Sequence, residues 1–187
     1  MSILVCVPYM KPHRKFLPHF IEWYAANKEK HDLLLHWEMW RPLHQVQANA
    51  VKQALQMKCS HILFTEDDQW GFPVDGLEVL LEADKDVIGF PSYSKVHPYL
   101  PMTYRKADKS IPMTLRKRNL IPMYSTEEIE EYDLITWAFT LVRTSVFPRL
   151  GVDPFLAWDS VPTDSHFCQA CEDAGIPRFI HKGITIN

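Results

Sequence analysis

The segment "HILFTEDDQWGFP" (residues 61–73) places a short apolar run directly before three consecutive carboxylates. The run at 61–65 is too short for a typical helix and is bounded by polar residues, so it predicts a buried strand. Alternate side chains of an extended segment point the same way. Glu66 and Asp68 are therefore expected to converge at the end of this strand, while Asp67 faces elsewhere.

On both sides of this segment, strands and helices alternate. Apolar runs predict strands at 3–8, 33–40 and 86–91, and apolar residues at helical spacing predict helices at 14–29, 42–58 and 75–83. A β-α-β-α series of this kind implies a mainly parallel central sheet with helices on both faces. The predicted fold class is therefore α/β.

The pattern changes after Pro91. Residues 92–131 show little periodicity, so we expect a long excursion of short strands and loops, a length that is usually functional. A strand and short helix at 133–147, a helix at 163–175 that ends with Gly175, and a strand at 178–186 follow. Because no repeat or linker divides the chain, we expect a single domain over 1–187.

Composition excludes several classes of protein. The 187 residues carry a formal net charge of −3, which gives no general attraction to nucleic acid or to an anionic membrane. No apolar run reaches the roughly 18 residues of a transmembrane segment, and the first residues lack the features of a signal peptide. We therefore expect a cytoplasmic protein, and the four dispersed cysteines suit reduced thiols. The basic stretch at 105–118 predicts either a loop that meets one anionic ligand or a solvated run of charge.

The acidic cluster has two local explanations. Ligands of open α/β sheets bind beyond the carboxyl ends of the strands, and two convergent carboxylates are a minimal site for Mg²⁺ or Mn²⁺. Short acidic side chains also favour turns after strands, without any ligand. The segment itself leaves both explanations open.

Five motifs, spread over roughly the whole chain, together resemble a known family. They are, in order, "QANAVKQAL" (47–55), "ILFTEDDQ" (62–69), "LLEADKDVIGFP" (80–91), "LVRTSVF" (141–147) and "TDSHFCQACEDAGI" (163–176). In this order they resemble the GT-A glycosyltransferases, particularly the small family-2-like enzymes of the nucleotide-diphospho-sugar transferase superfamily. The resemblance implies a single GT-A-like domain with a nucleotide-binding half (1–91) and an acceptor and catalytic half (92–187).

The resemblance also implies roles for individual residues. Glu66 and Asp68 would hold Mn²⁺ or Mg²⁺ in the position of the family's D-x-D element, with His181 as a late metal ligand, and Asp164 would be the catalytic base. The partners would be a nucleotide-sugar donor and a glycan, lipid or protein acceptor. The implied donor contacts are Pro8 and Tyr9 beside the nucleobase, Glu38 and Asp67 at the base or ribose, and Trp137 near the sugar.

Other interpretations stay open at this point. Thr163 or Asp164 would serve equally as a helix N-cap, and Trp137 as a core residue. Glu66 replaces the usual Asp, and "TWAF" (136–139) replaces a small-residue stretch. These departures would also fit a catalytically inactive nucleotide-sugar binding protein. A metal-dependent nucleotidyltransferase is a further alternative, although "PYMKPHRK" (8–15) has no glycine. "CQAC" (168–171) has the C-x-x-C form, but a buried position inside a helix is favoured over a redox or zinc site.

Overall fold

The computed structural model describes residues 2–95, 97–112, 119–124, 127–151, 154–155, 162–184 and 186. Its strands are β1 (Ile3–Tyr9), β2 (Leu33–Met39), β3 (His61–Thr65), β4 (Val87–Gly89), β5 (Tyr104–Lys106), β6 (Leu120–Pro122), β7 (Ile129–Tyr132), β8 (Phe139–Arg143) and β9 (Arg178–His181). Its helices are α1 (Phe16–His31), α2 (Leu43–Gln56), α3 (Gly76–Glu82) and α4 (Thr163–Asp173), with a 3₁₀ helix at Thr144–Arg149. In these described ranges, no helix combines the length and apolarity needed to cross a membrane.

Seven strands form one sheet in the order β2-β1-β3-β8-β4-β9-β7. β1, β2, β3, β4 and β9 run in one direction, whereas β8 and β7 are antiparallel to their neighbours. The predicted α/β class with a mainly parallel sheet is therefore confirmed. The sequence series did not predict that β8 inserts between β3 and β4.

The close approach of β8 to β4 explains why the residue at position 89 is a glycine. A Cβ atom on Gly89 would lie only 2.5 Å from Thr140 Oγ1 on β8. Such a contact is too short for two heavy atoms, so a larger residue would push the strands apart. The glycine of "DVIGFP" is therefore a packing requirement.

The core lies on both faces of the sheet. Leu4, Cys6, Ile62 and Phe64 pack on one face, and Ile3, Val5 and Leu63 on the other. This burial on both faces explains why β1 and β3 appear in the sequence as continuous apolar runs. The "CQAC" cysteines of α4 are buried free thiols, and burial raises the pKa of Cys168 to about 12.

The basic stretch at 105–118 is largely neutralised where it is described. Lys106 is buried and its Nζ lies 2.8 Å from Glu172 Oε1. Arg105 pairs with Glu130, and Lys109 pairs with Asp133. These three cations therefore serve the fold, while residues 113–118 lie outside the described part of the chain.

Candidate active site

A cleft of about 260 Å³ opens beyond the carboxyl end of β3. Glu66, Asp68 and Gln69, which directly follow β3, line it together with Asp164 from the first turn of α4. The remaining lining residues are Ser92, Tyr93, Ser94, Lys95, Met102 and Thr136. The structure thus brings Glu66, Asp68 and Asp164 to one cleft.

The middle carboxylate of the acidic cluster points to a different partner. Asp67 Oδ2 accepts hydrogen bonds from the backbone amides of Met10, at 2.6 Å, and Lys11, at 2.8 Å. The Asp67 carbonyl accepts another from the amide of His13 at 2.8 Å. Asp67 therefore fastens the loop after β1 to the end of β3 through Oδ2, and its contact with a donor ribose stays a prediction.

A second cleft, of about 180 Å³, adjoins the first. It is lined by Pro8, Met10, Leu43 and the three acidic residues Glu66, Asp67 and Asp68. Because Glu66 and Asp68 line both clefts, the two spaces share a wall. Pro8 and Asp67 are thus the predicted donor contacts that line a cleft together with Glu66 and Asp68.

Tyr9 and Glu38 line neither of these two clefts among the described residues. The ring of Tyr9 packs against Trp37, with centroids 4.9 Å apart. Glu38 Oε1 accepts a hydrogen bond from Asn49 Nδ2 at 2.9 Å, and Glu38 Oε2 lies 3.4 Å from Arg41 Nε. Their donor contacts stay predictions.

Asp164 is the second residue of α4. The N-cap position is held by Pro162, which makes no side-chain capping bond, and Asp164 Oδ1 accepts a hydrogen bond from the Ser165 amide at 2.7 Å inside the first turn. Thr163 Oγ1 instead accepts a hydrogen bond from Trp137 Nε1 at 3.2 Å. The interpretation of Thr163 or Asp164 as the N-cap is therefore wrong.

Burial raises the pKa of two acids that line the cleft, Asp164 and Glu66. It raises the pKa of Asp164 to about 6, although hydrogen bonds from Ser165 act in the opposite direction. Burial, with the negative charges of Asp68 and Asp164, raises the pKa of Glu66 to about 8. A positive charge bound between these carboxylates would relieve their mutual repulsion.

The sequence analysis missed two cleft residues that contact Asp68. Lys95 forms an ion pair with Asp68, and Gln69 Nε2 donates a hydrogen bond to Asp68 Oδ1 at 3.3 Å. Gln69 Oε1 is buried and has no hydrogen-bond partner among the described residues. Lys95 lies in the aperiodic excursion, where no pattern indicates which side chain returns to the sheet.

Trp137 is a core residue and not a surface for a sugar. Its side chain is 2% exposed and packs against Phe64 and Phe167, with ring centroids 4.7 and 4.6 Å away. Together with its bond to Thr163, this packing places Trp137 beneath the cleft. This burial does not favour the predicted position of Trp137 near the donor sugar.

His181 does not join Glu66 and Asp68. It lies at the end of β9, where its Nε2 is 3.8 Å from Glu128 Oε1 and its Nδ1 accepts a hydrogen bond from the Gly183 amide. Within the described ranges, no group of three His, Cys, Asp or Glu residues is arranged to hold a metal. A cation site here would thus depend on Glu66 and Asp68, a pair that fits Mg²⁺ or Mn²⁺ when water and phosphate complete the shell.

Comparisons with known proteins bear on the fold. No family model matches the chain, and no curated protein matches its sequence. The crystal structure of A197 from STIV matches with a TM-score of 0.61 and 14% identity, over 97% of this chain and 82% of that chain. The catalytic domain of Drosophila β1,4-galactosyltransferase 7, in complex with xylobiose, matches with a TM-score of 0.56 and 13% identity, over 98% of this chain and 66% of the other.

GalNAc-T7 with UDP, GalNAc and Mn²⁺ matches with a TM-score of 0.54 and 9% identity. The match covers all of this chain but only 43% of GalNAc-T7, so the chain spans less than half the length of that enzyme. At these identities the likeness concerns the fold, which does not by itself fix the chemistry. The chain therefore has the GT-A-like fold of glycosyltransferase catalytic domains, and this likeness does not single out the family-2 enzymes.

Proposed function

We propose that the protein is a metal-dependent glycosyltransferase that moves a sugar from a nucleoside-diphosphate sugar to an acceptor hydroxyl. The observation that carries this proposal is the convergence of Glu66, Asp68 and Asp164 on one cleft at the carboxyl end of β3. The structural neighbours that bind UDP, GalNAc and Mn²⁺, or xylobiose, support it. Residues 1–91 would then supply the donor side, and residues 92–187 the acceptor side.

Glu66 and Asp68 would hold Mn²⁺ or Mg²⁺ at the wall that the two clefts share. A divalent cation there offsets the negative charge that develops on a departing diphosphate. Pro8 lines the second cleft, and its β-sheet partner is Glu38 on β2. The nucleoside would therefore lie across the ends of β1 and β2, with Pro8, Tyr9 and Glu38 near the base and ribose.

Asp164 would act as the general base. As the acceptor oxygen forms its bond to the anomeric carbon, the hydroxyl proton passes to the Asp164 carboxylate. The bond from that carbon to the diphosphate oxygen breaks, and the nucleoside diphosphate leaves with the electron pair. A pKa of about 6 keeps Asp164 ionised at neutral pH yet makes it a stronger base than an ordinary Asp.

The first experiment measures calorimetric binding of UDP-, GDP- and dTDP-sugars, each with Mn²⁺, with Mg²⁺ and with chelator. We expect one nucleotide class to bind, and to bind more tightly with a cation. Absence of binding under every condition would exclude the proposed activity.

Two variants separate binding from transfer. Asp68→Ala is expected to abolish the cation dependence of donor binding, while Asp75→Ala, an exposed acid a few residues later, should leave it unchanged. Asp164→Asn should bind the donor normally but lose transfer by about 10²-fold or more. Asp173→Asn, at the other end of α4, is its matched control. Full turnover in Asp164→Asn would exclude this residue as the base.

A further inference from the structure

The ion pair between Lys95 and Asp68 spans the cleft. Asp68 follows β3, whereas Lys95 belongs to the segment after β4, and β8 separates these two strands in the sheet. The Lys95 side chain therefore crosses from one wall of the cleft to the other. Among the described residues that line this cleft, Lys95 is the one cationic side chain, beside three carboxylates.

We propose that Lys95 is an internal counter-cation of the acidic pair: it competes with a divalent cation for Asp68 and, once that cation binds, turns to the donor diphosphate. This inference rests on the proposed function. The Lys95 ammonium occupies a carboxylate that the cation would need, so binding of one positive charge at Asp68 opposes binding of the other.

The exposure of the pair allows this exchange. The side chain of Lys95 is 41% exposed and that of Asp68 is 48% exposed. An ion pair with this exposure is weak because water screens its charges. A divalent cation has twice the charge of the Lys95 ammonium and can contact both carboxylates, so it can displace the ammonium from Asp68. The flexible four-carbon stem of lysine allows its ammonium to change partners without movement of the backbone.

The backbone that carries Lys95 is fixed close to the cleft. Ser92 Oγ lies 3.1 Å from Thr136 Oγ1, in a buried contact between the segment and the residues before β8. The amide of Ser94 donates to the Leu100 carbonyl at 2.9 Å. When it leaves Asp68, the Lys95 ammonium therefore stays beside the space where a diphosphate would bind, and it can form a charge-assisted hydrogen bond there.

The test uses Lys95→Met and two ligands. With Mn²⁺ alone, followed by electron paramagnetic resonance of the free ion, the variant should bind about two- to fivefold more tightly than the wild type, because the competing charge is gone. With UDP at saturating Mn²⁺, followed by calorimetry, it should bind about threefold more weakly or worse. Lys95→Arg should behave like the wild type in both titrations, and Lys52→Met, on the exposed surface of α2, is the matched control.

The opposite signs of the two shifts distinguish this role from a structural one, which would weaken both affinities together. Unchanged or weaker Mn²⁺ binding by Lys95→Met, or unchanged UDP binding, would overturn the inference. Sugar transfer without either shift would remove the role of Lys95 and leave the proposed function intact. If both affinity shifts occur but no sugar is transferred, the role of Lys95 stands and the proposed glycosyltransferase activity is excluded.

Discussion

Trp137 Nε1 donates a hydrogen bond to Thr163 Oγ1 over 3.2 Å, and this contact joins the core to the first turn of α4. Both residues are buried, at 2% and 6% exposure. A buried indole N–H needs an acceptor, so the bond satisfies the ring while it fixes the start of the helix. Because Asp164 is the next residue, the same bond sets where its carboxylate enters the cleft.

Trp137→Phe should destabilise the protein by about 1–3 kcal/mol, because it removes both the hydrogen bond and part of the packed ring. Thr163→Val removes the bond from the other side and should cost about 1 kcal/mol. The free energy of unfolding in urea measures both effects. The double variant should lose less than the sum of the two, and full additivity would contradict the coupling.

Asp67→Ala should destabilise the fold by about 1–3 kcal/mol, because the amides of Met10 and Lys11 lose a charged acceptor. Asp67→Asn retains an acceptor oxygen and should recover part of this loss. Urea unfolding measures the stabilities, and amide hydrogen exchange at residues 10 and 11 should accelerate in Asp67→Ala. Unchanged exchange at these two amides would show that the carboxylate does not hold the loop.

Glu66→Gln should make stability less dependent on pH. The pKa of Glu66 rises from 4.5 to about 8 in the folded protein, so between these values the folded state keeps a proton that the unfolded chain has lost. This difference lowers the stability of the wild type as pH rises, and Gln has no such proton. The variant should therefore match the wild type near pH 4 and exceed it by up to about 4 kcal/mol at pH 8, as measured by urea unfolding. A constant difference across this range would contradict the raised pKa.

Removing Lys106 and removing Glu172 from their buried ion pair should lower the stability of the protein by different amounts. The Lys106 side chain is 1% exposed and that of Glu172 is 30% exposed. Glu172→Ala would leave the buried ammonium with the Lys109 carbonyl, 2.9 Å away, but without a carboxylate, and should cost about 3–5 kcal/mol. Lys106→Met leaves the less buried of the two side chains unpaired and should cost less. Thermal unfolding measures the loss of stability in each variant. Equal losses in Glu172→Ala and Lys106→Met would contradict this prediction.

Sequence reasoning succeeded where a single local rule decides the outcome. The predicted strand at 61–65 matches β3, because its residues are buried on both faces and form one continuous apolar run. The predicted helices agree with α1, α2 and α4 to within two residues at each end, and Gly175 follows α4 with a φ of 67°. The alternation that separates Asp67 from its two neighbours is likewise a property of the strand itself.

The failures involve contacts between distant parts of the chain. β7 lies at the end of the stretch 92–131, which predicts short strands and loops without their bounds, because an edge strand tolerates charged residues that obscure its period. The surroundings of Trp137 come from β3 and α4, and the partner of His181 comes from the residues before β7. Such partners depend on the sheet order, which the order of elements along the chain does not specify.

The position of β8 also has a consequence for the order of folding. Both sheet neighbours of β4, namely β8 and β9, come from the second half of the chain. β8 also pairs with β3, on the side of β3 that does not face β1. During synthesis, residues 1–91 therefore leave β4 without a partner strand and expose the β3 edge to other chains until residues 139–143 emerge. The high sequence separation of these pairings predicts slow closure of the central sheet. We therefore expect the cleft beside Glu66 to form late in folding, and we expect residues 1–91 and 92–187 not to fold as separate fragments.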